Sequence, residues 1–104
     1  MKNFYCIGLG PQKIASAELI PYHKGWMITR IFVPDDYADQ GHDVEILKQV
    51  MDDADAEATI LYLSNHIGID KTLMYWPYGF STYKGVARRR PDLKGGTYEK
   101  SKHG

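Results

Sequence analysis

The sequence predicts one domain of mixed α/β class, and three observations carry that prediction. Apolar segments typical of strands occupy the first third of the 104 residues, an amphipathic helix follows, and a short apolar run comes directly after it. A strand, loop, helix and strand in this order form a crossover connection between neighbouring strands, right-handed where the strands are parallel. A chain of this length can build a single hydrophobic core.

Three strands are predicted before the helix, over residues 3–9, 13–21 and 26–33. The first ends at a turn around Gly10 and Pro11, and the turn 22–25 joins the other two into a hairpin. Alternation along the third strand places one set of side chains on a common face: Trp26, Ile28, Arg30 and Phe32.

The helix is predicted over residues 42–57 from the spacing of its apolar residues. They recur at intervals of three and four residues as Val44, Leu47, Met51, Ala54 and Ala58. The run 59–63 that follows is almost wholly apolar, which is typical of a strand covered on both faces.

The last third is predicted to hold a short helix, a strand and a tail. The helix covers residues 71–76 and ends before Pro77, which disfavours helical geometry at the residue before it. The strand covers residues 79–86, and the chain from Arg88 onward reads as a fraying tail. We therefore expect a domain over residues 1–91 and a basic, flexible tail over residues 92–104.

Charge is balanced overall but unevenly distributed along the chain. Residues 35–57 hold nine acidic side chains against Lys48, and residues 84–104 hold seven basic side chains against Asp92 and Glu99. Because proteins that bind duplex nucleic acid are usually basic overall, the zero net charge argues against nucleic acid as a partner.

Other compositional features narrow the class of protein. No apolar run is long enough to cross a membrane, and the beginning of the chain lacks the pattern of a signal peptide. Cys6 is the lone cysteine, which excludes an intramolecular disulfide and favours the cytoplasm. The four histidines do not fall at paired ligand spacing, so no metal site is predicted.

The loop before the helix is the first candidate for chemistry. The N–H groups at a helix start and the helix dipole together attract anions, and Gly41 would let the backbone approach a phosphate closely. The alternative is that Gly41 is a flexible loop residue before an ordinary helix. The local pattern leaves both interpretations open.

Two ordered motifs give this loop a more specific interpretation. Val33-Pro34, then Gln40-Gly41 at the start of an amphipathic helix, resembles the coenzyme-A-binding motif of the GNAT superfamily of N-acetyltransferases. The segment 75–80, YWPYGF, resembles the tyrosine-x-x-x-glycine-phenylalanine block of the same family. The resemblance implies a mixed, mostly antiparallel sheet with a central crossover helix. The helices that usually precede this helix would be reduced or absent.

The same resemblance implies an acetyl-CoA-dependent transfer of an acetyl group to an amine. The pantetheine arm of the cofactor would lie along Ile31, Phe32 and Val33. Its pyrophosphate would meet the backbone at Gln40, Gly41, His42, Asp43 and Val44. The hydroxyl of Tyr75 would protonate the departing thiolate as a general acid. Tyr75 also belongs to an aromatic cluster, so a purely structural role is the alternative.

Two positions depart from the family pattern in the phosphate loop. Ala38 stands where arginine or glutamine is usual, and Asp43 stands where a small residue is usual. The carboxylate of Asp43 would repel a pyrophosphate and compete for the same N–H groups, although acidic residues also stabilise the first turn of a helix. The natural protein is therefore expected to bind acetyl-CoA weakly or not at all.

The resemblance also implies a catalytic base, which in many GNAT relatives is a glutamate on the strand equivalent to residues 26–33, but this strand has no glutamate. The candidates to replace it are Glu18, His23, His42 and His66. The reduced beginning of the fold would leave the acceptor side open, which favours a protein or peptide amine. A second subunit in a homodimer could also complete it.

Two alternative functions remain at this point. The chain could be a catalytically inactive GNAT-like module that binds proteins, as in phage-type proteins that bind host factors. A weaker alternative is nucleic-acid binding through Arg88, Arg89 and Arg90 together with Tyr83 and Lys84.

Overall fold

A six-stranded mixed sheet forms the framework of this protein. The computed structural model describes residues 1–9 and 11–92. The strands are β1 (Phe4–Leu9), β2 (Gln12–Tyr22), β3 (Gly25–Phe32), β4 (Ile60–Leu63), β5 (Ser81–Tyr83) and β6 (Val86–Arg89). They lie in the order β1-β2-β3-β4-β6-β5, and in this part of the chain β3 and β4 form the parallel pair while every other pair is antiparallel. The predicted fold class is confirmed.

Helix α1 (His42–Ala56) makes the crossover from β3 to β4, as its periodicity predicts. Helix α2 (Ile69–Met74) has the predicted length but begins and ends two residues before the predicted 71–76. Single 3₁₀ turns lie at Asp35–Tyr37, Asn65–Ile67 and Trp76–Tyr78. Within the described residues that precede α1, the turn Asp35–Tyr37 is the only helical segment.

The core lies between α1 and one face of the sheet. The helix contributes Ile46, Leu47, Val50, Met51 and Ala54, all buried. The sheet contributes Tyr5, Ala15, Ala17, Leu19, Ile28, Leu61 and Leu63. The predicted stripe is wrong at its last residue, because α1 ends at Ala56 and Ala58 is exposed at a φ of 52°.

A bulge in β3 overturns the predicted alternation along that strand. Glu18 of β2 pairs with Arg30, but Leu19 pairs with Ile28, so Thr29 is an extra residue in β3. An inserted residue shifts every following side chain to the other face. Ile28 is therefore in the core while Phe32 is 44% exposed, and Ile31 packs against the core instead.

The last strand region also differs from the prediction. Residues 79–86 do not form one strand, because β5 and β6 pair as a hairpin around Lys84 and Gly85. The predicted tail is wrong at its start, since Arg89 lies in β6 and is 1% exposed. The backbone N–H of Asp92 donates to the Asp55 carboxylate at 2.9 Å, which ties this residue to α1. Residues 93–104 of the predicted tail lie outside the described part.

The two parallel strands stay paired for four residues and then separate. Their register runs from Gly25 opposite Ile60 to Ile28 opposite Leu63, and the Ser64 N–H donates to the Ile28 carbonyl at 3.0 Å. Gly25 lets the two strands approach each other closely where their pairing begins, because a Cβ there would lie 2.0 Å from the Ile60 carbonyl oxygen. Beyond Ile28, β3 continues alone beside β2, which opens a gap toward the start of α1.

Candidate functional site

The gap between β3 and β4 leads into a cavity of about 540 Å³. Its walls are the end of β3, the loop and first turn of α1, the 3₁₀ turn after β4, and α2 with the residue that follows it. The lining residues are Arg30, Ile31, Phe32, Val33, Tyr37, Ala38, Asp39, Gly41, His42, Asp43, Val44, His66, Ile67, Lys71, Met74 and Tyr75. This volume lies in the range of small-molecule and cofactor sites.

The bulge in β3 turns the backbone of Ile31 toward this gap. The Leu19 N–H donates to the Asn3 carbonyl on the β1 side, so the backbone groups of Leu19 point away from β3. Ala17 lies two residues earlier in the same strand, and its N–H and C=O therefore point the same way. Ile31 stands opposite Ala17. In an antiparallel pair, facing residues either exchange both hydrogen bonds or make none, so Ile31 directs its N–H and C=O away from β2. An extended ligand in the gap could pair with them.

Helix α1 begins at the cavity without a side-chain cap. Gly41 precedes its first turn with a φ of 82°, a left-handed conformation that glycine adopts without strain, and no side chain caps the helix there. The Gly41 carbonyl accepts from the Glu45 N–H at 3.1 Å. The N–H groups of the residues between them have no acceptor within the helix ladder and lie beside the cavity, and that of Val44 donates to the Asp43 carboxylate.

Three side chains meet at the start of α1. The Lys71 ammonium and the Tyr75 hydroxyl each donate to Oδ2 of Asp43, both at 3.2 Å. The Asp43 side chain is 13% exposed, whereas that of Lys71 is 52% exposed at the rim of the cavity. The acidic residue that departs from the family pattern is thus bound by a lysine and a tyrosine of the cavity wall.

The pKa values of this cluster are displaced in opposite directions. Burial acts to raise the pKa of Asp43, but hydrogen bonding and charge from Lys71, with smaller contributions from the Val44 backbone and Tyr75, hold it below its ordinary value. Burial raises the pKa of Tyr75 far above its ordinary value, and the charge of Asp43 raises it further. Asp43 is therefore ionised and Tyr75 protonated at neutral pH.

The structure places the four candidate bases differently. His66 and His42 line the cavity, and His42 Nδ1 lies 2.5 Å from Oε1 of Glu45. Glu18 lies 3.7 Å from Arg30 on the sheet surface and is not part of the lining. His23 stacks against Tyr22 in the β2–β3 turn, away from the cavity. Of the four, the geometry brings His42 and His66 to the site.

Most of the residues that the motifs implied do come together here. All of the implied binding residues line the cavity except Gln40, and Tyr75 lines it as well. Sequence reasoning missed Lys71, whose ammonium contacts Asp43 at the start of α1. The spacing could have indicated it, because residues 71 and 75 of a predicted helix lie four apart and therefore on one face.

The cavity wall is electrically balanced. Arg30 and Lys71 are its formally positive side chains, and Asp39 and Asp43 are its formally negative ones. The described residues contain no group of three or more side chains arranged to hold a metal ion. No helix among them combines the length and the apolar character needed to cross a membrane.

Comparison of sequences alone yields nothing, since neither a family model nor a curated protein matches this chain. Solved structures do match it. The ribosomal-protein-S18-alanine N-acetyltransferase of Escherichia coli superposes with a TM-score of 0.70 at 15% identity, covering 94% of this chain and 76% of that one. A GNAT family acetyltransferase of Elizabethkingia anophelis with acetyl-CoA bound gives 0.68 at 17% identity, with coverage of 84% and 74%.

A third structure is the PaiA N-acetyltransferase of Thermoplasma acidophilum in complex with coenzyme A. Its TM-score is 0.62 at 14% identity, and the alignment covers 84% of this chain and 59% of that one. The chain has the GNAT fold. The likeness inferred from the two motifs is thereby confirmed at the level of the fold. In terms of the GNAT fold, β3 and β4 are the diverging strands and α1 is the crossover helix.

Proposed function

We propose that this protein is an acetyl-CoA-dependent N-acetyltransferase. The observation that carries the proposal is the cavity where β3 and β4 separate, because the unpaired end of β3, the start of α1 and Tyr75 all line it. The fold supports the same conclusion, since acetyl-CoA or coenzyme A is bound in matching structures.

The cofactor would lie along the cavity from the gap to the helix. Its pantetheine amides would pair with the backbone of β3 near Ile31, Phe32 and Val33. Its pyrophosphate would accept from backbone N–H groups between Gln40 and Val44, where the positive end of the α1 dipole favours an anion. The acetyl thioester would then lie within the gap, beside the backbone of Ile31.

The reaction itself is a direct acyl transfer. The lone pair of a neutral amine attacks the thioester carbonyl carbon, a C–N bond forms and the C–S bond breaks. The sulfur leaves with the electron pair of that bond and takes a proton from the Tyr75 hydroxyl. The amine nitrogen loses one proton to His66, His42 or water, and Tyr75 is reprotonated from solvent. The products are an N-acetyl amide and the free thiol of coenzyme A.

The cluster at Asp43 keeps Tyr75 protonated, because burial together with the Asp43 charge raises the pKa of Tyr75. The hydroxyl donates to Asp43 Oδ2 at 3.2 Å in the free protein, and it would turn from that carboxylate to the sulfur when it acts as the acid. A positioned proton donor of this kind is worth about 10²–10⁴-fold in rate.

The acceptor that we propose is an amine on a protein or peptide. In the described part of the chain, no long helix precedes α1 to enclose the acceptor side of the gap. A large acceptor could therefore approach it, or a second copy of the chain could complete it. We place the reaction in the cytoplasm, where the exposed thiol of Cys6 would stay reduced.

The second candidate is a protein-binding module that has lost the cofactor. Two observations favour it. The Asp43 carboxylate lies at the start of α1, where it would repel a phosphate, and large apolar side chains are exposed on the sheet face opposite α1, including Phe4 at 43%, Ile20 at 46% and Phe32 at 44%.

Calorimetric titration of the purified protein with acetyl-CoA and with coenzyme A decides between these functions. Gly41→Ala should weaken cofactor binding, because a side chain is strained at the positive φ of this position and the loop would have to move. Gly85→Ala is the matched control, since Gly85 also has a positive φ of 81° and open space around it but lies in the β5–β6 turn. Absence of heat with either ligand would leave the protein-binding module as the better account.

A further inference from the structure

The phosphate loop of this chain lacks the cation that a pyrophosphate needs. Ala38 has no charge, and the acidic residues Asp39 and Asp43 line the same wall. Arg30 cannot compensate at that end, because its guanidinium stacks on Phe32 at 4.7 Å and lies 3.7 Å from Glu18 on the sheet. A phosphate at the helix start would therefore meet two carboxylates and, from the loop itself, no basic side chain.

Lys71 lies where such a cation is missing. It reaches the start of α1 from α2, 28 residues further along the chain, and its ammonium stands 3.2 Å from Asp43 Oδ2. An ammonium has three donors, and the hydrogen bond to Asp43 uses one of them. Its side chain is 52% exposed, so the remaining donors can turn to a ligand in the cavity.

We propose that Lys71 is the phosphate-binding cation of this protein and bridges Asp43 to the cofactor's pyrophosphate. This inference rests on the proposed function and adds to it a residue outside the loop motif. In the free protein Lys71 is held in place by Asp43. With cofactor bound, it keeps that contact and donates a further hydrogen bond to a phosphate oxygen. Asp43 then serves to position the lysine, at the cost of some repulsion of the phosphates.

The test compares Lys71→Met with the parent in titrations with coenzyme A and with pantetheine, which lacks the pyrophosphate. The Kd for coenzyme A should rise about tenfold, the effect of a charge pair near solvent after salt screening, and the Kd for pantetheine should not change. Lys24→Met, in the β2–β3 turn and away from the cavity lining, is the control and should match the parent.

The same substitution made in the Asp43→Asn protein distinguishes two roles of Lys71, binding the phosphate and neutralising the charge of Asp43. If Lys71 contacts phosphate, Lys71→Met should weaken coenzyme A binding in the Asp43→Asn protein as well. Loss of the effect in that background would overturn the proposal, and so would an equal loss of pantetheine affinity. If the parent and Lys71→Met bind coenzyme A with the same Kd, the role of Lys71 is overturned but the proposed function is not. A parent that binds neither ligand overturns the proposed function and this inference with it.

Discussion

Arg89 and Asp55 form a buried bidentate ion pair. The two terminal nitrogens of Arg89 lie 2.7 and 3.0 Å from the two carboxylate oxygens of Asp55, and Arg89 is 1% exposed. The Nε of Arg89 also donates to the Tyr78 carbonyl at 2.9 Å. This pair joins β6 to α1, and the bond to the Tyr78 carbonyl ties the turn that follows Tyr75 to the same arginine.

Removing one partner of this pair should destabilise the protein strongly. Arg89→Met leaves the Asp55 carboxylate without its guanidinium in a mostly buried position, and such losses cost about 3–5 kcal/mol. Urea unfolding followed by circular dichroism would measure the difference. The neighbouring Arg90→Met, at an exposed position, should match the parent. An unchanged midpoint for Arg89→Met would show that the pair contributes nothing to stability.

The role of Arg89 illustrates where sequence reasoning ends. Periodicity is local, so it predicted α1 to within one residue and the hairpin of β2 and β3. The three consecutive arginines resemble a solvated charge run, which is the usual structure of such a segment. Nothing local shows that one of them meets a carboxylate 34 residues away in α1. Tertiary pairing decided the burial of this residue.

The bulge at Thr29 illustrates a second limit. One extra residue reverses the faces of every side chain after it, and the sequence around Thr29 carries no glycine or proline to signal it. The motifs nevertheless placed Ile31, Asp43 and Tyr75 at one site. They did so because the order of elements brings the end of β3, the start of α1 and the end of α2 together.

The parallel pairing should depend on Gly25. A Cβ at this position would approach the Ile60 carbonyl oxygen to 2.0 Å, a distance that requires the strands to move apart. We expect Gly25→Ala to lower the free energy of unfolding by more than about 1 kcal/mol and to weaken cofactor binding. Thermal denaturation with and without coenzyme A measures both effects. A variant with the parent's midpoint would show that the sheet absorbs the methyl group.

Stability should fall at alkaline pH because of Tyr5. Burial and a hydrogen bond to Asp53 at 2.6 Å raise the pKa of Tyr5 to about 12. The folded state therefore retains this proton better than the unfolded state, whose tyrosine titrates near 10. The contribution is present below pH 10 and is lost as the pH rises toward 12.

The comparison that isolates Tyr5 is urea unfolding at pH 9 and at pH 11.5. Tyr5→Phe should lose about 2 kcal/mol less stability over this interval than the parent does. Tyr83→Phe, at a 45% exposed position, should behave as the parent. Equal losses in all three proteins would mean that Tyr5 does not titrate differently in the two states.

Tyr75→Phe separates the general acid from the aromatic core. The variant keeps the buried ring and loses the hydroxyl, so turnover should fall by about 10²–10⁴-fold while the Kd for coenzyme A changes little. Asp43 retains Lys71 as a partner, so stability should fall by no more than about 1 kcal/mol. Release of the free thiol measures turnover. Equal turnover would remove Tyr75 from the mechanism, and an unfolded variant would favour a structural role for its hydroxyl.

Asp43 controls how well the cavity can accept a polyanion. Its carboxylate stands at the start of α1 and is ionised at neutral pH, and the single charge of Lys71 offsets it only in part when several phosphate charges approach. We therefore expect weak binding of acetyl-CoA by the natural protein. Asp43→Gly should tighten it by about 1–3 kcal/mol, or roughly five- to a hundred-fold, and this gain should shrink in high salt.

The same substitution should change the pH dependence of stability in a definite direction. The pKa of Asp43 is lowered in the folded state, so its contribution to stability is present above the ordinary carboxyl pKa and is lost as the pH falls through the folded value. Asp43→Gly lacks this contribution and also costs up to about 1 kcal/mol of helix stability, so affinities must be compared where both proteins are folded. Asp36→Asn, in the same loop but outside the cavity lining, is the control for loop charge. Tight binding by the parent that is unchanged in Asp43→Gly would place the phosphates away from this carboxylate, because a charge that close to them could not be removed without effect.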